Sequence, residues 1–309
     1  IKGHPRREVC YRADHIYGPY EKKVILETEF AGFGGVGQGT IVDAPDGKWY
    51  GFIFQDRGGV GRVPTLEPCT WKDGWPILGD EKGNVPLQMG KPVLGYNDKT
   101  IVHSDDFAKD KLDLQWQWNH NPVDEAWSLT ERKGYLRLKT SRTAQNLFMA
   151  PNTLTTRMEG PTCEAVVKMD VSQMKDGDVA GFAAFQGDAA LLSVAREGKK
   201  WFVLGSKDNS VLSDEQKMVT DVKHEEVYRQ ALKSKTIYLK ISCDFRDHKD
   251  LATLSYSLDG KNWTEAIRNF RMNFDYRRLF MGTRFAIYNY ATKSAGGYVD
   301  IDCFGYSKK

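Results

Sequence analysis

Apolar and polar positions alternate with a period of two over short runs rich in Val, Ile, Phe, Tyr and Thr. Lys48–Phe54, Gly134–Thr140, Cys163–Val171, Val179–Gln186, Thr236–Asp244 and Leu251–Leu258 are of this kind. Asp-Gly pairs punctuate the chain at 46–47, 73–74, 176–177 and 259–260. Such pairs tolerate the positive φ of tight hairpin turns, so the pattern predicts antiparallel strands joined by hairpins. Helical period is nearly absent. Its nearest approach, Asp214–Ala231, has sparse apolar positions and reads as a loop with a turn or two. The expectation is an all-β protein.

The pattern breaks over Gly79–Gly95, where Gly and Pro fall at irregular spacing without alternation, as in a connector running over a surface. Beyond it, a block opens at Ser104–Phe107 and closes at Gly297–Tyr306. About ten or eleven strands fit there, which suits a two-sheet β-sandwich whose first and last strands lie near each other. The preceding segment holds about seven or eight strands with a Trp- and Gly-rich texture. A β-propeller blade takes roughly 40–50 residues, so this segment has room for about two blades. Two blades cannot close a ring, because each buries its faces against neighbours. The expected domains are residues 1–102, a partial five-bladed propeller, and 103–309, a sandwich.

Charge narrows the partners. Lys+Arg 44 against Asp+Glu 41 leaves +3, without basic blocks, which speaks against a nucleic acid or an anionic membrane as partner. The 40% hydrophobic content suffices for a core, and no apolar run reaches the ~18–20 residues of a membrane span. Five Cys with no C-x-x-C pair argue against a disulfide scaffold or a zinc site. Ile1 is not Met, and nothing before His4 resembles a signal peptide, so the expectation is a processed chain or part of a longer polypeptide. The compartment stays open.

Several motifs carry a resemblance. They are Arg12 with Ile16–Glu21, Gly37–Asp43, Pro45–Tyr50, Phe54–Gly58, Gly61-Arg62 and Trp71–Pro76. In that order they resemble the last two blades of glycoside hydrolase family 43, five-bladed propellers that include β-xylosidases, α-L-arabinofuranosidases and arabinanases. Ser104–Phe107, Leu114–Pro122, Trp127–Thr140 and Tyr298–Tyr306 resemble the concanavalin A-like sandwich fused to the β-xylosidase branch. The resemblance implies inverting hydrolysis by a general base and a general acid, with a third carboxylate tuning the acid. It also implies that all three lie upstream of residue 1, so no catalytic residue is nominated in this chain. Asp43, Asp46 and Asp73 read as turn formers.

The resemblance nominates Arg62, in its Gly-Arg context, as the arginine that reaches the innermost sugar, since a planar guanidinium grips two hydroxyls at once. The alternative is an arginine bridging blades through carbonyls. Gln38 stands beside the position where many members carry a histidine associated with an axial calcium; here Gly37-Gln38-Gly39 lacks that histidine. Arg7 falls where relatives carry a polar residue facing the pocket, with solvation at a chain end as the alternative. Phe185 and Gln186 end a strand whose following loop approaches the active-site mouth in related β-xylosidases, which makes them candidates to line the substrate pocket. Asp105 and Asp106 could meet Asp300 and Asp302 on adjacent terminal strands and hold a structural calcium, with salt bridges to nearby Lys as the rival. Asp105 and Asp302 are the metal candidates; no cofactor is required. His4 and His15 receive no role. Trp49, Trp71, Trp75, Trp116, Trp118 and Trp127 read as packing rather than sugar-stacking residues.

The function these readings imply is an exo-β-xylosidase or α-L-arabinofuranosidase acting on xylo-oligosaccharide or arabinoxylan. It would work together with an N-terminal propeller portion of the same protein. The alternative is a non-catalytic carbohydrate-binding or structural β-sandwich module.

Overall fold

The computed structural model describes residues 6–97 and 99–308; Ile1 and His4 lie outside the described residues. Apart from four short 3-10 turns, the regular structure is all β, and no described helix is long and apolar enough to cross a membrane. Contacts divide the chain into two compact units. One holds the residues up to Arg57 together with Gly61–Lys99; the other holds Gly58–Val60 and everything from Thr100 onward.

The first unit opens with β1 (Glu8–Arg12) paired to β2 (Glu21–Leu26), then β3 (Glu29–Phe30) paired to β4 (Phe33–Gly35). A four-stranded antiparallel meander follows in sequence order: β5 (Gly37–Asp43), β6 (Trp49–Asp56), β7 (Arg62–Lys72) and β8 (Trp75–Leu78). Two positive-φ residues, Asp73 and Gly74, turn β7 into β8, as the sequence predicts. Asp46 caps its own turn by accepting the Lys48 amide at 3.0 Å. Alternation along β6 and β7 sends Ile53 and Cys69 into a small core with Ile25, Leu26, Val36, Leu78 and Val85. Trp49 meets Trp71 edge-on at 5.4 Å, and Trp75 is buried beneath the Arg12 guanidinium at 4.1 Å.

The second unit starts with the short strands β9 (Gln117–Trp118) and β10 (Trp127–Ser128), then β11 (Leu136–Lys139), β12 (Leu154–Arg157) and β13 (Thr162–Asp170). It continues with β14 (Asp178–Phe185), β15 (Ala189–Glu197), β16 (Lys200–Leu212), β17 (Val219–Leu232) and β18 (Thr236–Asp244). The last strands are β19 (Leu251–Ser257), β20 (Thr264–Arg271), β21 (Arg284–Ala291) and β22 (Tyr298–Lys308). They form two seven-stranded sheets, ordered β10-β11-β22-β13-β18-β19-β20 and β17-β16-β15-β14-β21-β12-β9.

One apolar cluster takes side chains from both sheets. From the first come Val167, Ile237, Leu239, Ile241 and Phe304; from the second come Ala180, Phe182, Leu192 and Phe285. Phe182 stacks on Phe285 at 5.6 Å, and Phe304 meets both edge-on at 6.3 and 6.1 Å. Trp116 is buried in this cluster and Trp118 and Trp127 pack on it, so these indoles serve the core. The block's two ends meet through reciprocal Asp105–Phe304 backbone hydrogen bonds of 2.8 Å.

The loop expected over Asp214–Ala231 is instead mostly β17, an edge strand paired along β16. Its charged run Lys223–Glu226 is largely exposed, so the alternation that marks a half-buried strand never develops. Backbone pairing with β16 decides the conformation. The same charges protect the edge against further strand addition.

Candidate functional site

In the first unit the candidate residues gather at one end of the meander. The β6–β7 register sets Asp56 directly across from Arg62. The Arg62 Nε donates to Asp56 Oδ1 at 3.3 Å, and its guanidinium lies 4.2 Å from the Phe54 ring centroid. Arg6 ion-pairs with the other oxygen of Asp56 and lies 4.8 Å from the same ring. Two guanidinium groups therefore share one aromatic ring and one carboxylate. Half-exposed pairs of this kind contribute little stability, within about 1 kcal/mol, so their consequence is orientation.

Missing side chains let the Arg6–Arg7 segment approach. A Cβ on Gly35 would overlap the Arg6 carbonyl oxygen, and one on Gly37 would lie 2.8 Å from that of Arg7. Only glycine permits this proximity. Arg7 then reaches Glu27 at 3.5 Å. Gln38 sits at φ 71° in a bulge of β5, its backbone N–H donating to the Glu8 carboxylate and its side chain exposed. The structure thus brings Arg62, Arg7 and Gln38 to one neighbourhood, with acidic partners on the Arg62 and Arg7 side chains and on the Gln38 backbone. His15 accepts the Tyr17 amide at 3.3 Å on an exposed turn.

Two ionisable groups of this unit are buried without full compensation. Arg57 stacks on Phe33 at 4.4 Å, and burial lowers its pKa. Glu67 is fully buried, opposite Gly51 in the β6–β7 ladder. The Thr65 hydroxyl donates to its Oε1, while Oε2 has no hydrogen-bond partner. Desolvation pushes the Glu67 pKa up to about 7, against the opposing Thr65 hydrogen bond.

In the second unit Phe185 is a core residue, packed with Ala183, Leu191, Ala286 and Tyr288 in a cluster on the other face of its sheet. Gln186 is buried, and its amide donates to the carbonyls of Asp275, Leu279 and Met281 at 3.2, 2.7 and 3.4 Å. These two residues therefore hold the segment around 275–281 in place. Tyr276 and Phe280 of that segment are each 64% exposed.

The terminal carboxylates do not assemble. Asp105 accepts from the Trp116 indole and the Phe107 amide, each at 2.8 Å. Asp106 accepts the Ala108 amide at 3.1 Å. Asp302 pairs with Lys168, and Asp300 takes a two-pronged Arg137 at 2.7 and 2.9 Å plus Arg132 at 3.0 Å. No group of three His, Cys, Asp or Glu among the described residues is placed to hold a metal ion. The residues at Asp105 and Asp302 do not fit a calcium ion, because protein donors already satisfy each carboxylate.

Sequence reasoning assigned no role to Arg6, Phe54, Asp56 or Glu67. The signal for Asp56 was present: a hairpin whose turn is Gly-rich sets residues 56 and 62 opposite each other. Nothing local marks Arg6, which reaches Asp56 only through the packing of β1 against β5.

Similarity to known proteins extends over 97% of the chain. The family described as the beta xylosidase C-terminal concanavalin A-like domain matches residues 104–307. A beta-xylosidase of Formosa agariphila is 33% identical over 97% of this chain, which covers 53% of that protein. A solved bifunctional GH43-CE protein of Bacteroides eggerthii superposes with a TM-score of 0.83 at 42% identity, over 97% of this chain and 37% of that one. A solved GH43 glycoside hydrolase, engineered to display both endo-xylanase and exo-arabinofuranosidase activity, gives a TM-score of 0.87 at 29% identity, over 97% and 60% respectively. The chain spans about half the length of the curated relative it matches. With two thirds of its residues inside that family's match and glycoside hydrolase family 43 enzymes as its structural neighbours, the chain belongs to the family of β-xylosidase C-terminal concanavalin A-like domains.

Proposed function

We propose that this chain forms part of a family 43 glycoside hydrolase that removes terminal xylose or arabinofuranose from xylan-derived oligosaccharides. The observation that carries this reading is the match, across 97% of the chain, to a beta-xylosidase of which it covers 53%. On this reading β5–β8 are one complete propeller blade and β1–β4 belong to a second. The second unit is the concanavalin A-like sandwich. The acid and base that flank the scissile bond in inverting hydrolysis come from a portion of the protein outside this sequence.

Within the chain, Arg62 grips sugar hydroxyls. Its guanidinium is held by Asp56 at 3.3 Å and by the Phe54 face, which fixes the plane of its N–H fork before substrate arrives. Arg7 and Gln38 border the same end of the unit. Within the second unit, Gln186 and Phe185 fix the 275–281 segment.

The test is kinetic. The purified 309-residue chain alone turns over neither nitrophenyl-β-xyloside nor nitrophenyl-α-arabinofuranoside; turnover by this chain would refute the placement of the acid and base. With the N-terminal portion supplied, activity returns, and Arg62→Ala lowers kcat/KM by about two orders of magnitude or more while leaving the thermal midpoint unchanged. Wild-type kinetics in that variant would remove Arg62 from the site.

A further inference from the structure

Cys163 and Cys243 are register partners in the β13–β18 ladder, one rung from the last pair, Thr162 and Asp244. Both side chains point into the sheet interior and are nearly fully buried. Directly opposed residues of antiparallel strands have Cα atoms about 4.5–5.5 Å apart, inside the roughly 4.4–6.8 Å range that a disulfide spans. The Cys243 sulfur lies 3.6 Å from the Met158 thioether. No acid, base or hydroxyl of the proposed sugar site takes part. The other three cysteines, Cys10, Cys69 and Cys303, are free and have no register partner of their kind.

We propose that Cys163 and Cys243 form a redox-responsive cross-strand pair that a low-molecular-weight disulfide closes into a covalent staple between β13 and β18. The position at the ladder's end supplies the access, since end rungs open without unfolding the sheet. The Cys163 sulfur, as thiolate, attacks one sulfur of the small disulfide, forming a mixed disulfide and expelling one thiolate. Cys243 then loses its proton and attacks the Cys163 sulfur, expelling the second thiolate. The protein dithiol is oxidised by two electrons, the small disulfide is reduced to two thiols, and the two protons leave on those thiols. The electrostatics favour this order. The neighbouring Cys243 thiol holds the Cys163 pKa below the ordinary thiol value, whereas burial raises that of Cys243. The staple closes a loop of about 80 residues containing β14 to β17, a length at which cross-linking removes substantial unfolded-state freedom.

The experiment exposes the whole 309-residue chain to oxidised glutathione or hydroxyethyl disulfide at pH 8, then counts thiols in denaturant and maps peptides without reduction. The five thiols fall to three, and a Cys163–Cys243 linked peptide appears. The thermal midpoint rises by roughly 5–10 °C and returns on adding reductant. A Cys243→Ser variant traps the mixed disulfide on Cys163. Should that variant not fold, Cys10→Ser/Cys303→Ser leaves the buried pair intact and must still lose two of its three thiols. Five thiols surviving in the wild type, or losses mapping to Cys10 and Cys303, would overturn the proposal.

Discussion

Replacing Glu67 by Gln isolates a buried carboxyl whose charge the fold opposes. The side chain is fully buried between β6 and the apolar side of β8, where a Cβ on Gly51 would already lie 3.1 Å from its Oε2 and 2.9 Å from Leu78. One oxygen has the Thr65 hydroxyl and the other has no partner. Its pKa rises from an ordinary 4.5 to about 7, through burial first, with the Glu8 charge adding to the shift. The folded state thus binds the proton more tightly than the unfolded one. Stability contributed by the protonated form is complete below about pH 4.5 and is lost as pH rises through 7. Each pH unit over that interval is worth about 1.4 kcal/mol, so the loss reaches roughly 3 kcal/mol by pH 8. Glu67→Gln keeps the shape and abolishes the charge. It should come within about 1 kcal/mol of the wild type near pH 5 and exceed it at pH 8 by the full amount, on the order of 10 °C in the midpoint for a unit of this size. Thermal unfolding of the two chains, followed by tryptophan fluorescence from pH 5 to pH 9, reads this directly. Other groups titrate equally in both and cancel in the difference. A difference that stays constant across the range would refute the claim that desolvation governs this carboxyl.

Two further outcomes follow from the second unit. Asp300 is 4% exposed and bound by Arg137 and Arg132, which also pair with Glu131 and Asp170, so Asp300→Asn removes the buried half of a charge network and should cost about 2 kcal/mol in urea unfolding at neutral pH. Its effect should shrink little with added salt, because the pair is shielded from counterions. His224 donates its Nδ1–H to the buried Asp208 Oδ1 at 2.6 Å, and that hydrogen bond raises its pKa. The raised value means its contribution is present below pH 6.5 and disappears as pH climbs through the folded-state midpoint. An NMR titration should place His224 above 6.5 in the wild type and bring it down in Asp208→Asn.

Much of this protein was readable along the chain because strands announce themselves locally. Alternation on Cys163–Val171 and Thr236–Asp244 needed no partner to be seen, and Asp73-Gly74 encodes a turn in its own backbone preferences. The Trp116 and Trp118 spacing likewise placed both indoles on one face, and the structure packs both against the core. Edge strand β17 was hidden because a strand exposed on both faces carries no period; its β16 partner, not its composition, makes it extended. The candidate site shows the same division. Arg62, Arg7 and Gln38 were nominated from motifs, yet the carboxylate that orients Arg62 also binds Arg6, 50 residues earlier in the chain.

Local order, then, is what the sequence by itself determined: all-β structure, the turns and the change of texture near residue 100. Tertiary structure alone decided which charges meet. Asp302 finds Lys168, the Gln186 amide donates to three carbonyls, and Glu67 loses its water. The reason is range. Alternation and turn preference act between residues two to four positions apart, whereas pairing and desolvation depend on strands that the chain brings together only after folding.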